Sequence, residues 1–356
     1  MNSEYVGQNQ SSQWSSSEDL PLVIGLDLGG TQIRTAVMQG AKLLSRVGLL
    51  TGENPSPDRV IPRMYDSIYQ ALQEAHVTLE EIAGIGIGAP GPLDSRTGVV
   101  FAPPNLSGWV NVPLRDIFVE KLQRPIYVEN DANAAALGEF MFGAGRGSKE
   151  VVYITISTGI GGGVISDGRI IEGISGTAAE LGHMTIDWRG PRCNCGNIGC
   201  WESISSGTAI ARRAHELIAL GRGEDLLTFA LTHQEPMSGA DTPSDVNRAQ
   251  RNAIHINARM VAQAAQAGIP EARDIINTAA EGIGVGLINI IHIFNPERIV
   301  LGGGVAQMGE MLLGPAKRML QERAMKVPYQ SMKIVKAELG SDVGLIGAGA
   351  LTYYNR

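Results

Sequence analysis

Aromatic residues make up only 5% of this 356-residue chain, and no Lys/Arg run approaches the cluster with which a protein grips a phosphate backbone. With 29 basic against 36 acidic residues and a net charge of −7, nucleic acid is not an expected partner. Apolar stretches are short. None reaches the ~18 residues of a membrane span, and the first 19 residues, with six serines, hold no signal-peptide core. A cytoplasmic protein with no membrane partner is expected. Cysteine is scarce too: Cys193, Cys195 and Cys200 are an odd number in one short stretch, a poor disulfide framework. Neither G-x-x-x-x-G-K-[ST] nor a strand-to-helix G-x-G-x-x-G occurs, so the P-loop and dinucleotide fingerprints are absent. Any phosphate must be held in another way.

Glycine is in excess: 45 of 356 residues, nearly twice the usual ~7% and without a G-X-Y period. Such glycines belong in turns where the backbone passes close to another group. At ~150 residues per domain, the length predicts two domains. Residues 1–20 form a polar tail expected to be disordered or loosely attached. Apolar, β-rich runs at 22–28, 33–38 and 42–49, separated by Gly29-Gly30-Thr31 and Gln39-Gly40, predict a three-strand meander. Ile61, Met64, Tyr65, Ile68, Leu72 and Ala75 recur at helical spacing, predicting a helix over 57–76. A strand at 82–88, a helix near 112–123 and a strand at 125–129 follow. The meander then returns: strand 150–156, glycine turn 158–163, strand 163–166, the hairpin dipeptide Asp167-Gly168 and a return at 169–172. Helices are expected around 203–221, 247–265, 271–294, 306–325 and 343–354, with strands at 298–301 and 333–337. The repetition predicts an α/β protein of two related lobes, 21–145 and 146–356. The last helix is free to pack back on the first lobe, and the polar stretch 232–247 reads as an insertion.

Asp27-Leu-Gly-Gly-Thr31 places a carboxylate at the end of an apolar strand, beside backbone N–H groups that an anion can approach. That pairing suits magnesium and phosphate, although D-x-G-G alone is equally a plain hairpin turn. Its echo at 157–163 occupies the same place in the second unit, and two facing turns can hold one polyphosphate. Glu129-Asn-Asp-Ala-Asn133 ends a strand just before an alanine-rich helix, where open α/β sheets bind ligands. There Asn130 can hold a sugar-like hydroxyl while Asp131 takes its proton. The competing reading makes Asp131 a helix cap. In the 103–109 loop Asn105 is the better polar candidate, since Trp109 serves equally to pack the loop.

His183 lies ten residues before Cys193, and the three cysteines fall within eight residues. His183, Cys193, Cys195 and Cys200 thus form a Cys3His set, the closed tetrahedral pattern of structural zinc. Three unrelated buried cysteines is the alternative. A zinc-bound imidazole keeps a second nitrogen whose direction the metal sets, and this can aim at a substrate hydroxyl alongside Glu180 and Glu202. His76, His215, His233, His255 and His292 have no acidic or cysteine company and are given no role.

Taken together, Asp27-Leu-Gly-Gly-Thr, Glu129-Asn-Asp-Ala-Asn, the 155–163 glycine turn, Glu180-Leu-Gly-His and Cys-x-Cys-Gly-x-x-Gly-Cys-x-Glu resemble the ROK family of repressors, open reading frames and sugar kinases. The match runs from about Pro21 to the C-terminus. The resemblance implies the actin-like ATPase fold, two ribonuclease-H-like lobes around a cleft for ATP and sugar. It implies transfer of phosphate from ATP to the 6-hydroxyl of glucose, with Asp131 as the catalytic base. Asn105, Asn130, Glu180, His183 and Glu202 would contact the sugar. Asp27, Gly29, Gly30, Thr31, Thr158 and Gly159 would surround the phosphates and Mg2+, and Gly303 would lie in the adenosine-side loop. A homo-oligomer, dimer or tetramer, is expected. N-acetylmannosamine, N-acetylglucosamine and fructose share the hydroxyls and are the alternative substrates. The rival from another class is a sugar-responsive repressor, for which about 20 residues before the first strand, with few basic residues, would be a short helix-turn-helix.

Overall fold

The computed structural model describes residues 20–233 and 256–355. The polar 1–19 segment and most of the 232–247 stretch lie outside them. Val23–Leu28 (β1), almost wholly buried, pairs antiparallel with Gln32–Gln39 (β2). The single strand expected at 42–49 is two, Lys42–Leu43 (β3) and Val47–Leu50 (β4), both pairing with β2. A bulge divides them: the Val37 carbonyl accepts from Leu44 and Ser45 N–H, while Val37 N–H donates to the Ser45 hydroxyl. Ile85–Ala89 (β5) joins β1 in parallel. Two-residue strands at Leu93–Asp94 (β6), Val99–Val100 (β7) and Val112–Pro113 (β8) form a small separate sheet that no sequence period announces. Ile126–Asn130 (β9) completes the main sheet beside β5, in the order β3-β2-β1-β5-β9.

The second sheet repeats this plan. Val151–Ile156 (β10) pairs antiparallel with Ile160–Ser166 (β11), which pairs with Arg169–Ile170 (β12) through an Asp167-Gly168 turn. Both turn residues are left-handed, φ 48° and 75°, as a two-residue type I′ hairpin requires. Arg298–Gly302 (β13) and Lys333–Lys336 (β14) add in parallel, giving β12-β11-β10-β13-β14. A meander followed by two parallel strands, twice over, is the repeat expected of the ribonuclease-H-like unit.

Helix Pro57–Ala75 (α1) starts on proline and turns Val60, Met64, Ile68, Ala71 and Leu72 into the core of the first sheet. Leu114–Leu122 (α2) follows the small sheet. Asp131–Phe142 (α3) lies between the two large sheets, and the approach is close. A Cβ built on Gly163 of β11 would stand 2.6 Å from Ala136 Cβ, and one on Gly88 of β5 would stand 3.7 Å from Ala134 Cβ. Alanine dominates this helix because larger side chains have no room. The C-terminal helix Val343–Tyr354 packs on β1 and β5 at register partners Gly25 and Gly86, where a Cβ would lie 2.3 Å from Leu345 O and 1.7 Å from Ala348 O. Gly86→Ala is therefore expected to cost ~3 kcal/mol or more, because backbone cannot yield as a side-chain end can. Denaturant titration of the variant against the wild type checks it.

In the second core the expected 203–221 helix divides into Trp201–Ser205 and Gly207–Ala219 at Ser206, whose hydroxyl accepts Ala209 N–H at 3.1 Å. The 306–325 helix begins as a short 3-10 turn and continues as Glu310–Arg323 after Gly309. Helices Glu224–Thr232 and Lys326–Ser331 were not expected; residues 247–255 of the expected 247–265 helix lie outside the described residues, and within the rest the helix is Ala258–Gln266. The 25-residue helix Pro270–Phe294 is long and apolar enough to cross a membrane, but 61% of its most apolar window is buried within the fold. It is a core helix under the second sheet.

Candidate active site

The parallel strands of the first sheet end together. Register pairs Asp27 with Gly88 and Gly88 with Glu129, so the Gly29-Gly30-Thr31 turn and the Asn130-Asp131 step share one edge. Asn105 joins them, since a Cβ on Gly30 would stand 3.0 Å from Asn105 Cβ. Trp109 does not: it is 1% exposed and its Nε1 donates to Pro55 O at 2.8 Å, packing the loop. Asp27 gives Oδ2 to the Arg34 guanidinium, which also donates to Ser341 O at 2.7 Å.

Asn130, not Asp131, caps α3. Its Oδ1 accepts Ala132 N–H at 2.9 Å and Asn133 N–H at 3.3 Å. Asp131 occupies the first turn, accepting Ala132 N–H at 2.8 Å on Oδ1, and is exposed to solvent in the space between the sheets. Protein nonetheless surrounds it. Desolvation raises its carboxyl to about 6, and the charges of Asp27 and Glu180 add to the rise.

The second sheet brings the opposing turn. Ser157 N–H donates to Gly159 O at 2.9 Å, and the Thr158 carbonyl accepts the Thr208 N–H and hydroxyl at 3.1 and 2.8 Å. Glu202 Oε2 accepts Ile160 N–H at 2.9 Å and lies beneath Gly159. Gly303, φ 90°, follows β13 at the same edge; a Cβ there would stand 2.3 Å from Ile156 O. Only glycine permits this contact.

His183 closes the 3-10 turn Leu181–His183, which rests on β11 through Gly182. Its Nδ1 stands 3.7 Å from Cys193 Sγ, Cys195 Sγ stands 3.7 Å from Cys200 Sγ, and all four ligand atoms lie within 4.8 Å of one another. Two thiolates ~2.3 Å from one tetrahedral zinc would be separated by about 3.8 Å, so the Cys3His cluster fits that metal. Asn197 Nδ2 donates to Cys200 Sγ at 3.5 Å, and Cys200 leads directly into the helix carrying Glu202. The cluster thus bears on two of the expected sugar contacts, His183 and Glu202.

Glu129 and Glu172 escaped the reading of the sequence for function. Glu129 is 3% exposed and its carboxyl is raised by burial, the principal cause, to about 8. Its position inside the Glu-Asn-Asp-Ala-Asn motif was the available signal; nothing in the sequence marks Glu172 as its neighbour.

The ROK family model matches residues 23–354. A glucokinase of Thermotoga maritima is 35% identical over 331 residues, covering 92% of this chain and 96% of that protein. A xylose repressor of Caldicellulosiruptor bescii is 30% identical, covering 94% of this chain and 79% of the repressor. A ROK family glucokinase from Streptomyces griseus, solved in complex with glucose and AMPPNP, superimposes with a TM-score of 0.72 at 31% identity, covering 94% of this chain and 99% of that one. The doubled sheet order, the motif residues gathered at the strand ends and these matches show that the chain belongs to the ROK family.

Proposed function

We propose that this protein is an ATP-dependent hexose kinase of the cytoplasm that phosphorylates glucose at its 6-hydroxyl, with Asp131 as the base. One observation carries the reading: Asp131 is released from capping duty by Asn130, opens into the inter-sheet space, and has a carboxyl raised toward neutrality. Above about pH 6 it is ionised and accepts the hydroxyl proton. Asn130 Nδ2, Asn105, Glu180, Glu202 and the free nitrogen of His183 orient the other hydroxyls. The turns at 29–31 and 158–159 hold the polyphosphate from opposite sheets, with Gly303 beside the adenosine. The glucokinase relatives and the glucose–AMPPNP complex support this choice of acceptor and donor.

Asp27, whose charge acts on Asp131, would hold magnesium, a hard cation taking oxygen ligands, which when bound would supply charge neutralisation on the phosphates. His183, Cys193, Cys195 and Cys200 would hold zinc, which would fix the direction of the His183 ring and the start of the Glu202 helix. Exposed Ile293, Met325 and Val327, brought together by the Met325 N–H to His292 Nε2 bond, support assembly as a homo-oligomer, dimer or tetramer.

Purified protein given ATP and a panel of glucose, fructose, N-acetylmannosamine and N-acetylglucosamine is expected to show its highest kcat/KM on glucose. Preference for another hexose replaces the substrate. ADP release with none of them overturns the kinase reading in favour of a sugar-binding repressor, the function named for the 30% identical relative.

A further inference from the structure

Glu129 stands two residues before Asp131, and among the described residues no Lys or Arg pairs with it. Its Oε1 accepts Asn130 N–H at 2.7 Å and Asn133 Nδ2 at 3.1 Å, bracing both the cap residue and the first turn of α3. Glu172, which follows β12 in the other sheet, lines one cavity with Glu129, and its carboxyl adds to the rise of the Glu129 carboxyl. Two neighbouring carboxyl groups oppose each other's ionisation, so the more buried one holds its proton to higher pH.

Arg96 acts on Glu172 through charge alone and forms no ion pair with either acid. Glu129 and Glu172 line a cavity of about 250 Å³ with Ser95, Arg96, Arg115, Tyr127 and Tyr354. Ser95 donates to Glu172 Oε1 at 2.8 Å. Arg96 is engaged by Asp94 and the Ile174 carbonyl, and Arg115 donates to the Arg96 carbonyl at 2.6 Å. On the α3 side the nearest ionisable group in sequence is Asp131, itself an acid.

We propose that Glu129 is a positioning residue for phosphoryl transfer: it locks the strand-to-helix turn that presents Asp131 and ties that turn to Glu172, just beyond β12 of the second sheet. The proposal rests on the kinase reading and deepens it. The acid's hydroxyl donates to Glu172 while its carbonyl accepts the two N–H groups, so one side chain joins the base to both sheets. Burial and the Glu172 charge place its ionisation at about 8. Above that pH the donor is lost, two anions face each other and the turn loosens.

Glu129→Gln tests this, because an amide keeps the carbonyl for Asn130 and Asn133 and an N–H for Glu172. The wild type is expected to lose kcat as pH rises through about 8, and Glu129→Gln to keep kcat across the same range. Glu129→Ala is expected to lose about 10²-fold in kcat at pH 7, the order of penalty for a reacting group displaced by an ångström, with KM for ATP little changed. A second readout needs no turnover. The folded pKa lies above the ordinary 4.5, so the stabilising contribution is complete below 4.5 and is lost toward about 8. The wild-type Tm should therefore fall over that window relative to Glu129→Gln. The proposal is overturned if Glu129→Gln is as impaired as Glu129→Ala, if both wild type and Glu129→Gln show the same alkaline loss, or if Glu129→Ala keeps full kcat. A wild type that phosphorylates no hexose instead brings down the kinase reading, and this proposal with it.

Discussion

Asp131→Asn is expected to lower kcat for glucose phosphorylation by roughly 10²-fold or more, while the glucose dissociation constant changes little. Asparagine keeps the size and the acceptor oxygen that meets Ala132 N–H, and the cap of α3 is supplied by Asn130, so the helix has no reason to unravel. What disappears is a proton acceptor. The pH profile separates this from general damage. With the carboxyl at about 6, wild-type kcat should rise through that pH as Asp131 ionises, and the residual activity of the variant should lack the rise. A variant with near-normal kcat refutes the base assignment. Glucose binding measured on the same sample shows whether the sugar site stayed intact.

Cys195→Ser is expected to release the metal and, with it, most of the sugar affinity. The purified wild type should carry about one zinc per chain. Cys195 is exposed, so replacing its sulfur opens no cavity in the core and isolates the loss of a ligand. Zinc binding contributes ~10 kcal/mol or more to the folding of isolated zinc modules, but here the cluster adjoins a large apolar core only through a few residues such as Leu181 and Trp201, and the first core does not include them. The damage should therefore be local, freeing His183 on one side and the Cys200–Glu202 step on the other. Metal analysis, glucose calorimetry and hydrogen exchange over 180–206 read the three consequences. Fully active wild-type protein that contains no zinc refutes the assignment.

Local chemistry made much of this molecule legible. Apolar β-rich runs bounded by Gly29-Gly30 and Asp167-Gly168 announced both meanders, and the spacing of Met64, Ile68 and Leu72 announced α1. The boundaries that failed depend on partners distant in the chain or on bonds too local for periodicity. Ser45 breaks a strand by taking Val37 N–H, and Ser206 divides a helix by capping its second half. The β6-β7-β8 sheet has strands of two residues, too short to show a period.

Fold class, family and the Cys3His set were legible along the chain, because turn chemistry, apolar runs and ligand spacing are properties of neighbours in the chain. How the reactive groups divide their work came from packing in three dimensions. It made Asn130 the cap and left Asp131 open, because which side chain reaches the free N–H groups of a helix depends on the angle at which the strand enters it. It also brought Glu129 and Glu172, 43 positions apart in the numbering, to one cavity. Burial and charge proximity are sums over everything that surrounds an atom, and most of that surrounding arrives from elsewhere in the chain.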